Sequence, residues 1–126
     1  MKEPVWLSRE VVLATQGELL DRFGGLEGIR DDTLLESALH QPQHLFNYGE
    51  PTLVELAASY ATGIVKNLPF LGGNKRSGFM AAALFLESNG LDVHAPEEEV
   101  VERTLALAAS AITEKDYAEW LKRSCS

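Results

Sequence analysis

Cysteine is nearly absent from the chain: Cys125, beside the C-terminus, is the only one. No disulfide can form within the chain, so a reducing cytoplasm is the expected compartment and the thiol reads as a loose tail group. Basic residues are scarce as well. Eleven Lys and Arg stand against 19 Asp and Glu, for a net charge of −8 and a pI of about 4.8. That balance argues against direct nucleic-acid binding, which uses a basic face; it favours solubility and leaves room for a basic partner segment. No apolar run approaches the roughly 18–20 residues of a membrane span, and the opening MKEPVWLSRE lacks the apolar stretch of a signal peptide. Neither a membrane nor a secretory route is expected. Histidine occurs three times, as His40, His44 and His94, and no zinc site is expected among them.

What is present is ordinary for a globular chain, with 45% hydrophobic and 24% charged residues. A length of 126 residues suits one domain, spanning 1–126, that buries roughly two thirds of its unfolded surface. The pattern is helical. Ser8 caps a first helix with Val11, Val12, Leu19, Leu20 and Phe23 on one side, stopped by Gly24 and Gly25. Asp31 or Asp32 starts a second through Leu34, Leu35, Ala38 and Leu39, which Pro42 ends. The loop QPQHLFNYGEP follows. Thr52 and Glu55 form a capping box for a third helix, which Pro69 cannot continue.

Asn74 can cap a fourth helix, KRSGFMAAALFLESNG, whose apolar centre marks it as the buried central helix, with Gly90 as its stop. LDVHAP reads as an extended connector or one edge strand. Pro96 and the acidic Glu97, Glu98 and Glu99 suit the start of a fifth helix, solvated at that end and running to about Ser110. Thr113 caps a last one, with Tyr117, Trp120 and Leu121 as core contacts. The expected fold is all-α: about six helices around a buried central one.

Charge is distributed unevenly. From Glu55 to Glu87 no acidic residue intervenes, while Lys66, Lys75 and Arg76 lie in that interval. Within it, NLPFLGGNKRSG places two glycines and an asparagine just ahead of a helix. Glycines let successive backbone N–H groups turn inward as an anion nest, and the helix N-terminus adds partial positive charge. Gly73, Asn74, Lys75 and Arg76 are the candidate phosphate-binding residues, Arg76 by a bidentate grip. The spacing is not that of a Walker A loop.

The stretch LPFLGGNKRSGFMAAALFLESNG resembles the central motif of the Fic/Doc family, H-P-F-x-[DE]-G-N-[KG]-R followed by a buried helix. Lys75, where the Fic branch has glycine, points to the Doc, or death-on-curing, branch. DRFGGLEGIRDDTLLESALHQP is similar to the N-terminal region of Doc-like proteins, so the resemblance spans most of residues 5 to 95. It implies a toxin of a toxin–antitoxin pair that transfers a phosphoryl group from ATP, with magnesium, to a hydroxyl of a translation elongation factor. The Fic branch would instead imply nucleotidyl transfer. It also implies neutralisation by an antitoxin segment lying along a groove of the toxin.

Two departures matter. The family's catalytic His falls on Leu68 and its metal-holding acid on Gly72. A leucine has no group that takes a proton at any pH, and a glycine offers no carboxylate to magnesium. Lys75 and Arg76 then remain as the catalytic-site cations, no metal ligand is assigned, and the expectation is an impaired enzyme. The alternative is a non-catalytic protein that binds a nucleotide, an anion or a peptide with the same surfaces. His44 falls in the loop expected before the third helix, where related folds carry a flap over the active site, but it reads as a surface residue. Phe70 reads as the anchor of the motif loop in the core.

Overall fold

The computed structural model describes residues 2–126 as six helices in chain order: α1 Arg9–Phe23, α2 Asp32–Tyr48, α3 Leu53–Asn67, α4 Asn74–Ser88, α5 Glu97–Ala108 and α6 Glu114–Ser124. The fold is all-α, as the periodicity predicts. Among the described residues the extended pairing is confined to two isolated antiparallel bridges, Ile29 with Phe70 and Val93 with Cys125. No helix is long and apolar enough to cross a membrane.

The helix starts follow from local chemistry. Ser8 accepts from the Val11 N–H and Asp31 from the Leu34 N–H. Complete capping boxes form at Thr52 with Glu55 and at Thr113 with Asp116. The hydrogen bonds to Asp116 hold its carboxyl below the usual Asp range.

Four expectations fail. Pro42 does not end α2; the helix continues to Tyr48 with Pro42 inside it and buried. An interior proline costs about 3 kcal/mol. The stripe Leu35, Ala38, Leu39, Pro42 continues into Leu45 and Phe46, which pack against the core. Burying such side chains contributes about 1.5–3 kcal/mol each when complete, so even partial burial of several offsets the proline. In consequence His44 lies on α2, one turn beyond His40 and tilted against Tyr48 at 4.6 Å between rings.

The central helix is α3, not α4. Residues Leu56 to Ala61 are buried without a break, so α3 is covered on every side. It packs against α2, α4, α5 and α6. The close approaches need glycine: a Cβ on Gly63 would lie 3.1 Å from the Ala38 Cα, and one on Gly78 2.6 Å from Val65 Cγ1. Helix α4 buries Gly78, Ala81, Ala82, Phe85 and Leu86 but leaves Phe79 and Met80 only half covered.

Helix α1 buries Val12 and Gln16, while Val11 and Phe23 are exposed, contrary to the apolar side read from the sequence. Cys125 is not a loose tail. Its bridge to Val93 is closed by reciprocal main-chain bonds between Asp92 and Ser126, each 3.0 Å, and burial raises its thiol pKa. Ahead of α1, the arm is fixed by Asn89, whose side chain bonds both the N–H and the C=O of Val5, and by the Tyr60 hydroxyl, which accepts from the Leu7 N–H.

Candidate functional site

The motif loop runs from the end of α3 to the start of α4, and its backbone is held by residues far away in the chain. Leu68 is the left-handed C-cap of α3, with φ 52° and ψ 54°. For a non-glycine residue this conformation costs on the order of 1–3 kcal/mol and needs support from its surroundings. Arg30 supplies it: Nε donates to the Leu68 carbonyl at 2.6 Å and Nη2 to the Asn67 carbonyl at 2.8 Å. The Arg30 and Asp31 N–H groups both donate to the Pro69 carbonyl, and the Leu71 N–H donates to the Gly28 carbonyl. Residues 28–31 thus run antiparallel to 68–71. Phe70 is buried, as expected of the loop anchor.

Asn74 does not cap α4. The N-cap is Gly73, left-handed at φ 72° and ψ 21°, with no side-chain cap. The Asn74 amide instead closes the loop on itself, accepting from the Phe70 N–H and donating to the Phe70 carbonyl, both at 3.0 Å. Its side chain is therefore committed to the scaffold; what it offers an anion is its backbone N–H. Gly73 in the left-handed region, followed by the unpaired first N–H groups of α4, has the form of the nest read from the sequence.

The three cations of the acid-free stretch separate. Lys66 hydrogen-bonds Ser110 and is not part of the loop. Lys75 is exposed, and the Arg76 guanidinium lies 4.3 Å above the Phe23 ring. Leu68 is 43% exposed, and Leu26 and Leu71 of the same two paired segments are exposed as well.

The magnesium implied by the resemblance does not fit these residues. Gly72 has no ligand atom on a side chain, and the space one would enter is taken. A Cβ there would sit 2.9 Å from the Leu26 N and 3.1 Å from the Leu26 O. No group of three or more His, Cys, Asp and Glu able to hold a metal occurs among the described residues.

At the α4 N-terminus opens a groove of about 600 Å³. Leu19 and Phe23 of α1, Phe79 and Met80 of α4, Val93 and Ala95 of the connector, and Val100, Val101 and Leu105 of α5 line it. Gly73 to Arg76 border it where α4 begins, and Glu97 borders it where α5 begins. Thr104 also reaches it, and its hydroxyl is paired at 2.9 Å with that of the buried Tyr117, whose pKa burial pushes up to about 12.

Several residues of this region were not legible as functional. Gln16, buried on α1, donates to the Gly72 carbonyl at 3.3 Å. Its one available signal is a polar residue one turn beyond Val12 on the buried face. Arg30 and Leu26 carry no signal beyond their place in the stretch that resembles the family. The acidic start of α5 is not wholly solvated either, because Glu99 accepts from the Trp120 indole N–H at 2.5 Å.

Comparison with known proteins finds a family and two relatives. A family described as Fic/DOC matches residues 6–86, which reach from the N-terminal arm into α4. The protein kinase Doc of Escherichia phage P1 is 30% identical over 118 residues, covering 93% of each chain. The toxin Doc of Mycolicibacterium smegmatis (strain ATCC 700084 / mc(2)155) is 38% identical over 93 residues, covering 71% of this chain and 68% of that protein.

Proposed function

The chain belongs to the Fic/DOC family, and from that membership we propose that it is a Doc-like toxin that has kept its binding surfaces and lost its transfer chemistry. The observation that carries this reading is the pair Leu68 and Gly72 at the motif's base and acid positions. Phosphoryl transfer from ATP to a protein hydroxyl, the activity implied for the Doc branch, rests on positioning and charge stabilisation together with a group that accepts the hydroxyl proton. The main-chain N–H groups around Gly73, with Lys75 and Arg76, supply charge stabilisation for a phosphate. Nothing at Leu68 accepts a proton, and nothing at Gly72 holds magnesium. The nest retains weak affinity for phosphate or a nucleotide, and the elongation factor is the target class that the active relatives would share.

The groove supports the other half of the reading. Its apolar walls suit the apolar face of an antitoxin helix, and the chain's charge of −8 favours a basic one. Neither Leu68 nor Gly72 is among the residues that line the groove, so the identity of those two side chains does not alter its walls.

The test has two arms. Induced expression of the chain alone should leave growth unaffected, and purified chain should move no label from γ-labelled ATP to elongation factor. Co-expression with the product of a small reading frame adjacent to its own should give a complex that co-purifies at low salt, with an on-rate that falls as salt rises. Growth arrest with label transfer would overturn the loss of chemistry. Failure of the folded chain to associate would overturn retention of the partner surface.

A further inference from the structure

Two adjacent glycines are required for opposite reasons. Gly73 has room for a side chain, since a Cβ there would meet only Leu20 Cδ2, at 3.6 Å, but its φ of 72° disfavours one. Gly72 has no left-handed φ; what excludes a side chain there is the Leu26 backbone at 2.9 Å. Main-chain atoms cannot rotate away as a flexible side chain would. Leu26 belongs to a segment entered through Gly24 and Gly25, both at positive φ, and left through Gly28, also at positive φ. From Gly28 onward the chain is clipped to the motif by the Leu71, Arg30 and Asp31 N–H bonds.

We propose that residues 24–28 form a strap seated in the space that a side chain at position 72 would occupy, so that Gly72 and the strap are a matched pair. An acidic residue restored at position 72 does not rebuild a metal site in this chain; it drives the strap off the motif. The space that a carboxylate at position 72 would enter is therefore closed by main chain, and the single-residue change is not reversible in isolation.

The experiment reads amide hydrogen exchange in three variants of the full chain, with no reference to toxin activity. Gly72→Ala adds one methyl group and should raise exchange at Leu71, Arg30 and Asp31 at least tenfold, leaving the α3 amides around Tyr60 unchanged. Gly73→Ala strains the backbone without touching the strap, and should lower the melting temperature while those three amides stay protected. Gly72→Asp should open the strap as Gly72→Ala does and show no saturable binding of magnesium alone by calorimetry. Unchanged protection at Leu71 in Gly72→Ala would overturn the proposal, and so would saturable magnesium binding by Gly72→Asp. Should the Asp variant fail to fold, the alanine pair decides. Because neither ATP nor a partner is present, a negative result here is distinct from failure of the toxin reading.

Discussion

Residues 67–71 are held to 28–31 by main-chain bonds and a single arginine; the groove that Gly73–Arg76 border is defined by the side chains of α1, α4, α5 and the connector. The two regions respond differently to substitution. The loop's shape rests on main-chain bonds, on the Arg30 and Asn74 side chains and on the bare Gly72, none of which involves the exposed Leu68 side chain, so that position can change without unfolding the motif. A groove has no such protection. Its character persists only while residues such as Phe79, Met80, Val101 and Leu105 remain apolar. That the first region carries Leu68 and Gly72 where the resemblance expects a base and an acid, while the second is apolar, is the basis for the proposed separation of chemistry from binding.

The comparison is broken most directly in the groove. Val101 and Leu105 are half exposed, so Val101→Asp with Leu105→Asp should fold normally. Removing two neighbouring anchors should weaken the antitoxin complex by roughly 4 kcal/mol, close to a thousandfold. Calorimetric titration checks this, and near-unchanged affinity would place the partner elsewhere.

The wall behind the groove gives the next largest effect, through pH. Tyr117 is buried against Thr104, and burial holds its pKa at about 12 in the folded chain against about 10 in the unfolded one. The folded phenol stays protonated where the unfolded one ionises. Stability should therefore fall as pH rises from about 10 to 12, by about 3 kcal/mol. Tyr60, raised by burial as well, contributes in the same direction. Chemical denaturation at steps across that window should show a shallower slope in Tyr117→Phe than in the parent; equal slopes would mean that Tyr117 is not sealed off beneath Thr104.

The smallest effect belongs to the loop side. Arg30→Ala removes two charge-assisted bonds to the Asn67 and Leu68 carbonyls. Arg30 is exposed and water competes for those carbonyls, so the expected loss is about 1–2 kcal/mol in a denaturant midpoint. Antitoxin affinity should not change. A parallel loss of affinity would show that the two regions are coupled through α4 and would end the distinction drawn between them.

Much of this region was legible from the residues. The capping box at Thr52, the cap at Thr113, the stop after Phe23 and the start of α4 at the Gly–Gly–Asn run follow from short-range signals, and the burial of Phe70 from the family resemblance. Asn74 shows the limit of such reading: its position is right for a cap, yet its amide turns back to Phe70. Lys66 is a second case, close to Lys75 and Arg76 in sequence but bonded to Ser110. Charge clustering along a chain is not clustering in space.

By itself the sequence determined the helical class, most helix boundaries, the membership of the Fic/DOC family and the presence of a leucine at 68 and a glycine at 72. These depend on residue chemistry and on contacts within a turn or two. The tertiary structure alone decided that α2 runs through Pro42, that α3 rather than α4 is enclosed on every side, that an apolar groove opens beside the motif, and that the Leu26 backbone fills the space beside Gly72. Each of these is settled by which distant segments meet. A proline is tolerated when the face beyond it is buried, and a glycine becomes obligatory when another backbone arrives within 3 Å of where its Cβ would be. No local pattern carries that information, because the neighbour that decides it comes from elsewhere in the chain.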